Sequence, residues 1–288
     1  MFETIGRGWA ITKLSFGVIR QDSEMLLFPL LGGFFSLAYS FVIMWPTVLT
    51  QLMDPAGDSM VWGTAQTVAS FAAYFGLAFI ATFFNTCTVY TAKTRFSGGD
   101  ATFMDSIRFA LSKIHLIFMW SLVAASVGIL LRALDQMADR MGTIGGTVLG
   151  IVQSLLGMMW SVLTIFVVPV MVYEGLGPID AIKRSSEVLR RTWGESLVRH
   201  IGLGLIQFVV MIPGVLMIVA GLVQGASLWP LAVLGVLWMV VVGLAFSVAN
   251  VVFNTALYEY ATNGQVAGGF DSSTMQRAFA TNPRSARM

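Results

Sequence analysis

Polar residues are so sparse along this chain that its long apolar stretches stand out by position, at approximately 25–47, 61–92, 114–131, 147–173, 197–223 and 228–258. Crossing the hydrocarbon of a bilayer takes about 20 apolar residues as helix, and each stretch approaches or exceeds that. Backbone N–H and C=O groups in lipid must be satisfied within the segment, so the pattern predicts six transmembrane helices rather than open strands. The segments between them have another rhythm. In residues 1–24, Ile5, Trp9, Phe16 and Ile19 stripe one helical face while Arg7, Lys13 and Arg20 stay polar. That is the pattern of a helix lying in the membrane interface; a helix packed on the cytoplasmic loops is the other reading. Short helices are also expected after Ser97-Gly98-Gly99-Asp100, with Asp100 as N-cap, and after Gly177, with Pro178 in the first position and Gly194 as the stop. Asp271 offers a cap for a last one in the tail.

The apolar stretches repeat one another. "FFNTCTVYTA" (83–92) is echoed by "VFNTALYEYA" (252–261), and "VVPVMVYEG" (167–175) stands midway, with Tyr173-Glu174 matching Tyr258-Glu259. The segments just C-terminal to these phrases repeat as well: "FMDSIRFALSK" from Phe103 and "PIDAIKRSSEV" from Pro178 share Asp, Ile and a base. The expected architecture is therefore an all-α polytopic membrane protein forming one membrane domain over residues 1–288. Six spans pair as three helix-hairpin repeats (approximately 1–92, 100–175 and 178–261), each with a short amphipathic cytoplasmic helix, and residues 262–288 form a cytoplasmic tail with a short helix. Hydrophobic burial does not drive helices together in lipid, so association needs small and polar residues. Gly32-Gly33, Gly145-Gly146-Gly150, Gly202-Gly204 and Ala69-Ala72-Ala73-Gly76 supply them. Pro169 and Pro213 should kink the fourth and fifth spans.

Composition agrees. Charged residues make up 11% of the chain and mean hydropathy is +0.78, against about 25% charged in soluble domains. The net charge of +2 gives no reason to expect a nucleic-acid partner. Glu3, Asp22 and Glu24 interrupt the first 24 residues, so no cleavable signal is expected and the first span is retained. Lys and Arg are distributed 15 to 2 between the two sets of connections, only Arg132 and Arg140 falling on the poorer side. The positive-inside rule then places both termini in the cytoplasm, and Trp45, Trp62 and Trp229 fall at outer span ends as an aromatic belt would.

At "SEMLLFPLLGG" (23–33), "VVPVMVYEGLGPIDAIKRSSEVLRRTWGESLV" (167–198) and "ALYEYATNGQVAGGFD" (256–271) the chain resembles a bacterial and archaeal six-span membrane family catalogued only as a domain of unknown function. More distantly it is similar to the membrane domain attached to some glycerophosphodiester phosphodiesterases. No catalytic residue carries over from that enzyme, whose soluble barrel has no counterpart here. The resemblance implies a multi-span protein of a prokaryotic plasma (inner) membrane with no assigned reaction.

Candidate chemistry is thin. Cys87 is the one cysteine, and His115 and His200 lack ligand spacing, so no metal site or cofactor is expected. No phosphate loop, dinucleotide fingerprint or nucleophile elbow is present. Asp54/Asp58 and Asp135/Asp139 are read as solvated acids, and Gln153 and Gln207 as packing amides. Away from the span ends, where Arg199 stands at the start of the fifth, there is no Asp, Glu, Lys or Arg to mark an ion or proton pathway. The polarity that exists is neutral and sits at inner ends of even spans. Asn85 and Thr86, then Asn250 and Asn254, are followed by Glu174 and Glu259 at repeat-equivalent places. These six residues are the candidate polar site, opening to the cytoplasm and suited to a lipid headgroup or small polar solute. The competing reading is interhelical hydrogen bonding worth about 0.6 kcal/mol per bond. Either way Asn85 and Asn254 are expected to bond protein, with Glu174 and Glu259 as candidate partners. The expected function is a non-enzymatic accessory or scaffold subunit, or a lipid-organising protein, with membrane lipids and other membrane subunits as partners. A small-solute or lipid transporter or channel is the alternative.

Overall fold

The structure, a computed structural model, describes residues 13, 15–53, 64–193, 202–223 and 228–264. A helical stretch over 15–21 and a 3-10 turn, Ser23–Leu26, lead into α1 (Leu27–Met53) and α2 (Thr64–Phe96). Then come α3 (Phe103–Ser112), α4 (Ile114–Arg140), α5 (Gly142–Leu163), α6 (Val167–Tyr173), α7 (Pro178–Trp193), α8 (Gly202–Val223) and α9 (Trp229–Asn263). No strand occurs among the described residues. Among the described residues six stretches are long and apolar enough to cross a membrane: Ser23–Trp45, Val68–Phe96, Ile114–Arg140, Gly145–Tyr173, Ile206–Val223 and Trp229–Asn263. Several helices outlast their apolar text. Hydropathy reports where lipid ends, not where helix ends. The "LRALDQMADR" sequence after Leu130 is made mostly of good helix formers, so α4 continues through Arg140.

The proline and cap expectations divide. Pro178 opens α7 as expected, while Gly194 and Asp271 lie outside the described residues. Asp100 does not cap α3. Thr102 Oγ1 accepts the Asp105 N–H at 3.2 Å and Asp105 Oδ2 accepts the Thr102 N–H at 3.2 Å, a reciprocal capping box two residues later. The fourth span breaks rather than bends. Helix α5 ends at Leu163 and α6 begins at Val167, so the interruption sits one turn before Pro169, whose ring would press on the Ile165 carbonyl in a continuous helix. The Phe166 N–H exposed by that break donates to Ser185 Oγ on α7 at 3.3 Å. Pro213, in contrast, stands inside an uninterrupted α8.

Contacts gather the chain into two units, and neither follows the boundaries of the sequence repeats. One comprises residues 30–87 and 106–186. In it Tyr39 Oη donates to the Ala72 carbonyl at 2.7 Å, and its ring fills the space where a Cβ of Gly76 would stand. Phe75 meets Phe118 edge-on at 5.1 Å, and Trp120 stacks on Trp160 at 5.7 Å, tying α2 to α4 and α4 to α5. A Cβ at Gly146 would lie 2.7 Å from the Ala138 carbonyl oxygen. Glycine and aromatic contacts of this kind replace hydrophobic burial as the source of cohesion in lipid.

The other unit comprises residues 1–29, 88–105 and 187–288. Its tightest approach is α8 on α9. A Cβ at Gly235 would stand 2.6 Å from the Gly214 carbonyl oxygen, and one at Gly221 would stand 2.6 Å from the Ala232 nitrogen. Trp238 Nε1 donates to the Val210 carbonyl at 2.9 Å across the same pair. Phe16 meets Phe246 of α9 edge-on at 5.6 Å, and Val18 and Ile19 are buried. Ile5, Arg7 and Trp9 of the first amphipathic segment lie outside the described residues.

Candidate functional site

The polar ends of α2 and α9 are built on long helices. At 1.5 Å per residue the 33 residues of α2 and the 35 of α9 extend about 50 Å, well past a hydrocarbon layer of about 30 Å. In the first unit, Thr82, Thr86 and Cys87 are buried, and Thr86 Oγ1 donates to the Thr82 carbonyl of its own helix at 2.8 Å. Asn85 is half-buried, and its Oδ1 is buried without a hydrogen-bond partner among the described residues. The bond expected of Asn85 is therefore not met at that oxygen. Thr94, further along α2, returns its hydroxyl to the Tyr90 carbonyl at 3.0 Å.

On α9 the pattern is the same. Asn250 Nδ2 donates to the Phe246 carbonyl at 2.9 Å, Thr255 Oγ1 to the Val251 carbonyl at 2.7 Å and Thr262 Oγ1 to the Tyr258 carbonyl at 2.8 Å. Asn254 is half-buried one turn beyond Asn250, and Glu259 is half-buried near the helix end. Gly264, at φ 66°, closes the helix in the left-handed conformation, its N–H on the Tyr260 carbonyl at 2.9 Å. Of the six candidate residues, Asn85, Thr86 and Glu174 belong to one unit, and Asn250, Asn254 and Glu259 to the other.

The charged groups near the span ends pair off. Glu174 Oε1 accepts from Arg184 Nε at 2.9 Å, which joins the end of α6 to α7. Lys113 Nζ lies 3.5 Å from the place a Cβ of Gly175 would take, and Gly175 itself needs φ 67°. In the second unit Arg95 Nη2 donates to Asp100 Oδ1 at 2.6 Å and Asp22 Oδ2 at 3.4 Å. Glu24 Oε2 accepts the Phe103 N–H at 2.9 Å, and Phe28 stacks on Phe103 at 5.1 Å. Burial pushes the Asp22 carboxyl above its usual value, with Arg95 pulling it back down. In the sequence Arg95 reads only as a topology charge, and Asp22 and Glu24 only as interruptions. Asp100, which reads there as a cap, is the group that holds Arg95. No set of three His, Cys, Asp or Glu side chains able to hold a metal ion occurs among the described residues.

Residues 64–269 match the model of a family of unknown function, DUF6159. The chain belongs to that family. The comparison with curated proteins finds no match. In this DUF6159 member the matched segment runs from the first residue of α2 to beyond α9, so it contains all six candidate residues and the Arg184–Glu174 pair. The "SEMLLFPLLGG" motif and Asp22 precede it. The chemistry open to the DUF6159 segment is set by its bonds. The Thr86 and Thr255 hydroxyls and the Asn250 amide each direct a donor to a carbonyl of their own helix, a local bond that competes with the helix ladder and can bend it.

Proposed function

We propose that the protein is a non-enzymatic multi-pass component of a prokaryotic plasma membrane, working as a scaffold or accessory subunit or as an organiser of lipid. Both termini lie in the cytoplasm, and the six spans form three hairpin repeats. The observation that carries this reading is where the polar side chains of α2 and α9 spend their hydrogen bonds. Thr86, Asn250 and Thr255 each donate to a backbone carbonyl four residues back, which favours helix seating over a solute path. The charge imbalance of the connections and the close pairing of α4 with α5 and of α8 with α9 support the topology.

A second reading, a small-solute or lipid transporter, rests on one atom. Asn85 Oδ1 is a buried acceptor without a partner among the described residues, and leaving such an acceptor unmet costs about 1–3 kcal/mol. A solute bearing a hydrogen-bond donor would relieve that cost. Asn85→Ala and Asn254→Ala, alone and together, separate the two readings. Stability loss without loss of any flux from proteoliposomes supports the scaffold. Unchanged or improved stability with abolished flux of a solute would establish the transporter in its place.

A further inference from the structure

An open cleft of about 440 Å³ lies on the α4–α5 pair, within the 300–1,000 Å³ range of small-molecule sites. Its opening is made by a missing side chain. A Cβ at Gly150 would meet nothing within 4 Å, whereas a Cβ at Gly146 would press on the Ala138 carbonyl and one at Gly157 would just reach Leu131. The two helices therefore touch on either side of Gly150 and stand open at it. Asp135 of α4 lines the cleft together with Thr147, Gln153 and Ser154 of α5. Past Ser154 the lining turns apolar, with Leu155 and Met158 at 53% and 65% exposure.

Depth gives these groups their meaning. Helix α4 has 27 residues and is about 40 Å long, longer than a hydrocarbon layer of about 30 Å. Asp135 lies five residues from its end and four residues past the apolar stretch that closes near 131, at headgroup level. Gln153 stands eleven residues into α5, about 16 Å from its start, at hydrocarbon depth. An amide there is costly unless well bonded, and the contact Gln153 Oε1 receives from its neighbour Ser154 is stretched to 3.5 Å. Asp135 is exposed and makes no ion pair among the described residues.

Carboxylate, then amide and hydroxyl, then apolar surface is the order in which an aminophospholipid presents its ammonium, its phosphoglycerol ester and its acyl chain. We propose that this cleft binds an amine-bearing glycerophospholipid, with the ammonium on Asp135, the glycerol ester region on Gln153 and Ser154, and an acyl chain along Leu155 and Met158. The site stands independently of the scaffold reading, because a transporter built on the same helices would carry the same cleft.

The test uses the full chain in nanodiscs holding equal phosphatidylethanolamine and phosphatidylglycerol, released into native mass spectrometry to count retained lipids by class. The wild type should keep phosphatidylethanolamine over phosphatidylglycerol. Asp135→Asn should lower that retention about tenfold, the scale of one lost charge-assisted bond, with elution and melting unchanged. Asp139→Asn, an exposed carboxylate outside the lining, should change nothing. Gly150→Leu should fill the opening and remove retained lipid of either class. Gln153→Leu, which keeps the side-chain size, should lower retention several-fold and serves if Gly150→Leu does not assemble. Equal retention of the two lipids by the wild type, or full phosphatidylethanolamine retention by Asp135→Asn, overturns the proposal. So does a wild-type dimer that Gly150→Leu makes monomeric with lipid retention unchanged, which would show a second copy covering the cleft.

Discussion

Replacing Gly235 with alanine adds one methyl group to α9 where there is no room for it. Its carbon would lie 2.6 Å from the Gly214 carbonyl oxygen, 2.8 Å from Ile218 Cγ1 and 2.9 Å from the Ile218 nitrogen. Two of these three atoms are backbone, so no rotamer change relieves the contact. Ordinary van der Waals separation is about 3.5–4.0 Å, and α8 must withdraw by a substantial part of the difference, giving up the packing around Gly221 and Trp238 as it goes. Overpacking of this kind costs about 1–3 kcal/mol. The better helix propensity of alanine returns up to about 1 kcal/mol, so the net loss should be about 1–2 kcal/mol. At about 2–4 °C per kcal/mol for a chain of this size, the apparent melting temperature should fall by about 2–8 °C. Thermal melting of the purified full chain in detergent, followed by helical circular dichroism or by aggregation, reads this directly. Gly33→Ala is the matched control, because a Cβ there meets nothing within 4 Å. If Gly235→Ala melts at or above the wild-type temperature while Gly33→Ala behaves as wild type, the close α8–α9 approach is wrong.

Other expectations concern the charged and capped ends. The Asp22 side chain is 5% exposed and faces Arg95. Arg95→Leu should therefore cost about 3 kcal/mol near neutral pH, whereas Asp22→Asn should cost about 1 kcal/mol or less. Because the folded Asp22 carboxyl is raised, its contribution to stability is fully present below the ordinary carboxylate range and is lost as pH rises through the raised value. The Arg95→Leu deficit should accordingly shrink toward acid pH in denaturant titrations, and a pH-independent deficit would contradict the assignment. Thr102→Ala removes the cap of α3 and should cost about 1 kcal/mol, while Asp100→Ala should leave that helix intact in hydrogen exchange. Reporter fusions within residues 54–63 and 224–227 should read as external and a fusion after Met288 as cytoplasmic; an external C-terminus would overturn the topology inferred from the 15-to-2 distribution of Lys and Arg.

The spans were legible because lipid imposes a simple rule, about 20 apolar residues in a row, and the broken fourth span was legible in part through Pro169. What hydropathy could not give was the helical reach beyond the membrane, such as α4 through Arg140 and α9 through Asn263. The cap of α3 is ambiguous in sequence because Asp100 and Thr102 are both acceptable N-caps, and what separates them is that Asp100 is held by Arg95 while Thr102 pairs with Asp105. The candidate site shows a similar limit. Sequence marks Thr86 and Asn250 as polar, but whether a hydroxyl or amide faces a neighbour, a solute or its own helix carbonyl depends on a rotamer. The cleft at Gly150 has no sequence signature because a glycine that opens a gap and one that closes a contact, such as Gly146, look alike in sequence.

The central claim is a protein that holds lipid or partner subunits rather than moving a solute. Native mass spectrometry of the full chain, extracted from its own membrane in a lipid-retaining polymer, tests this most directly because it weighs partner and lipid together. The expected result is a chain that carries bound phospholipid, a stoichiometric protein partner, or both. A bare chain with neither, from a preparation that drives solute flux in proteoliposomes, would contradict it.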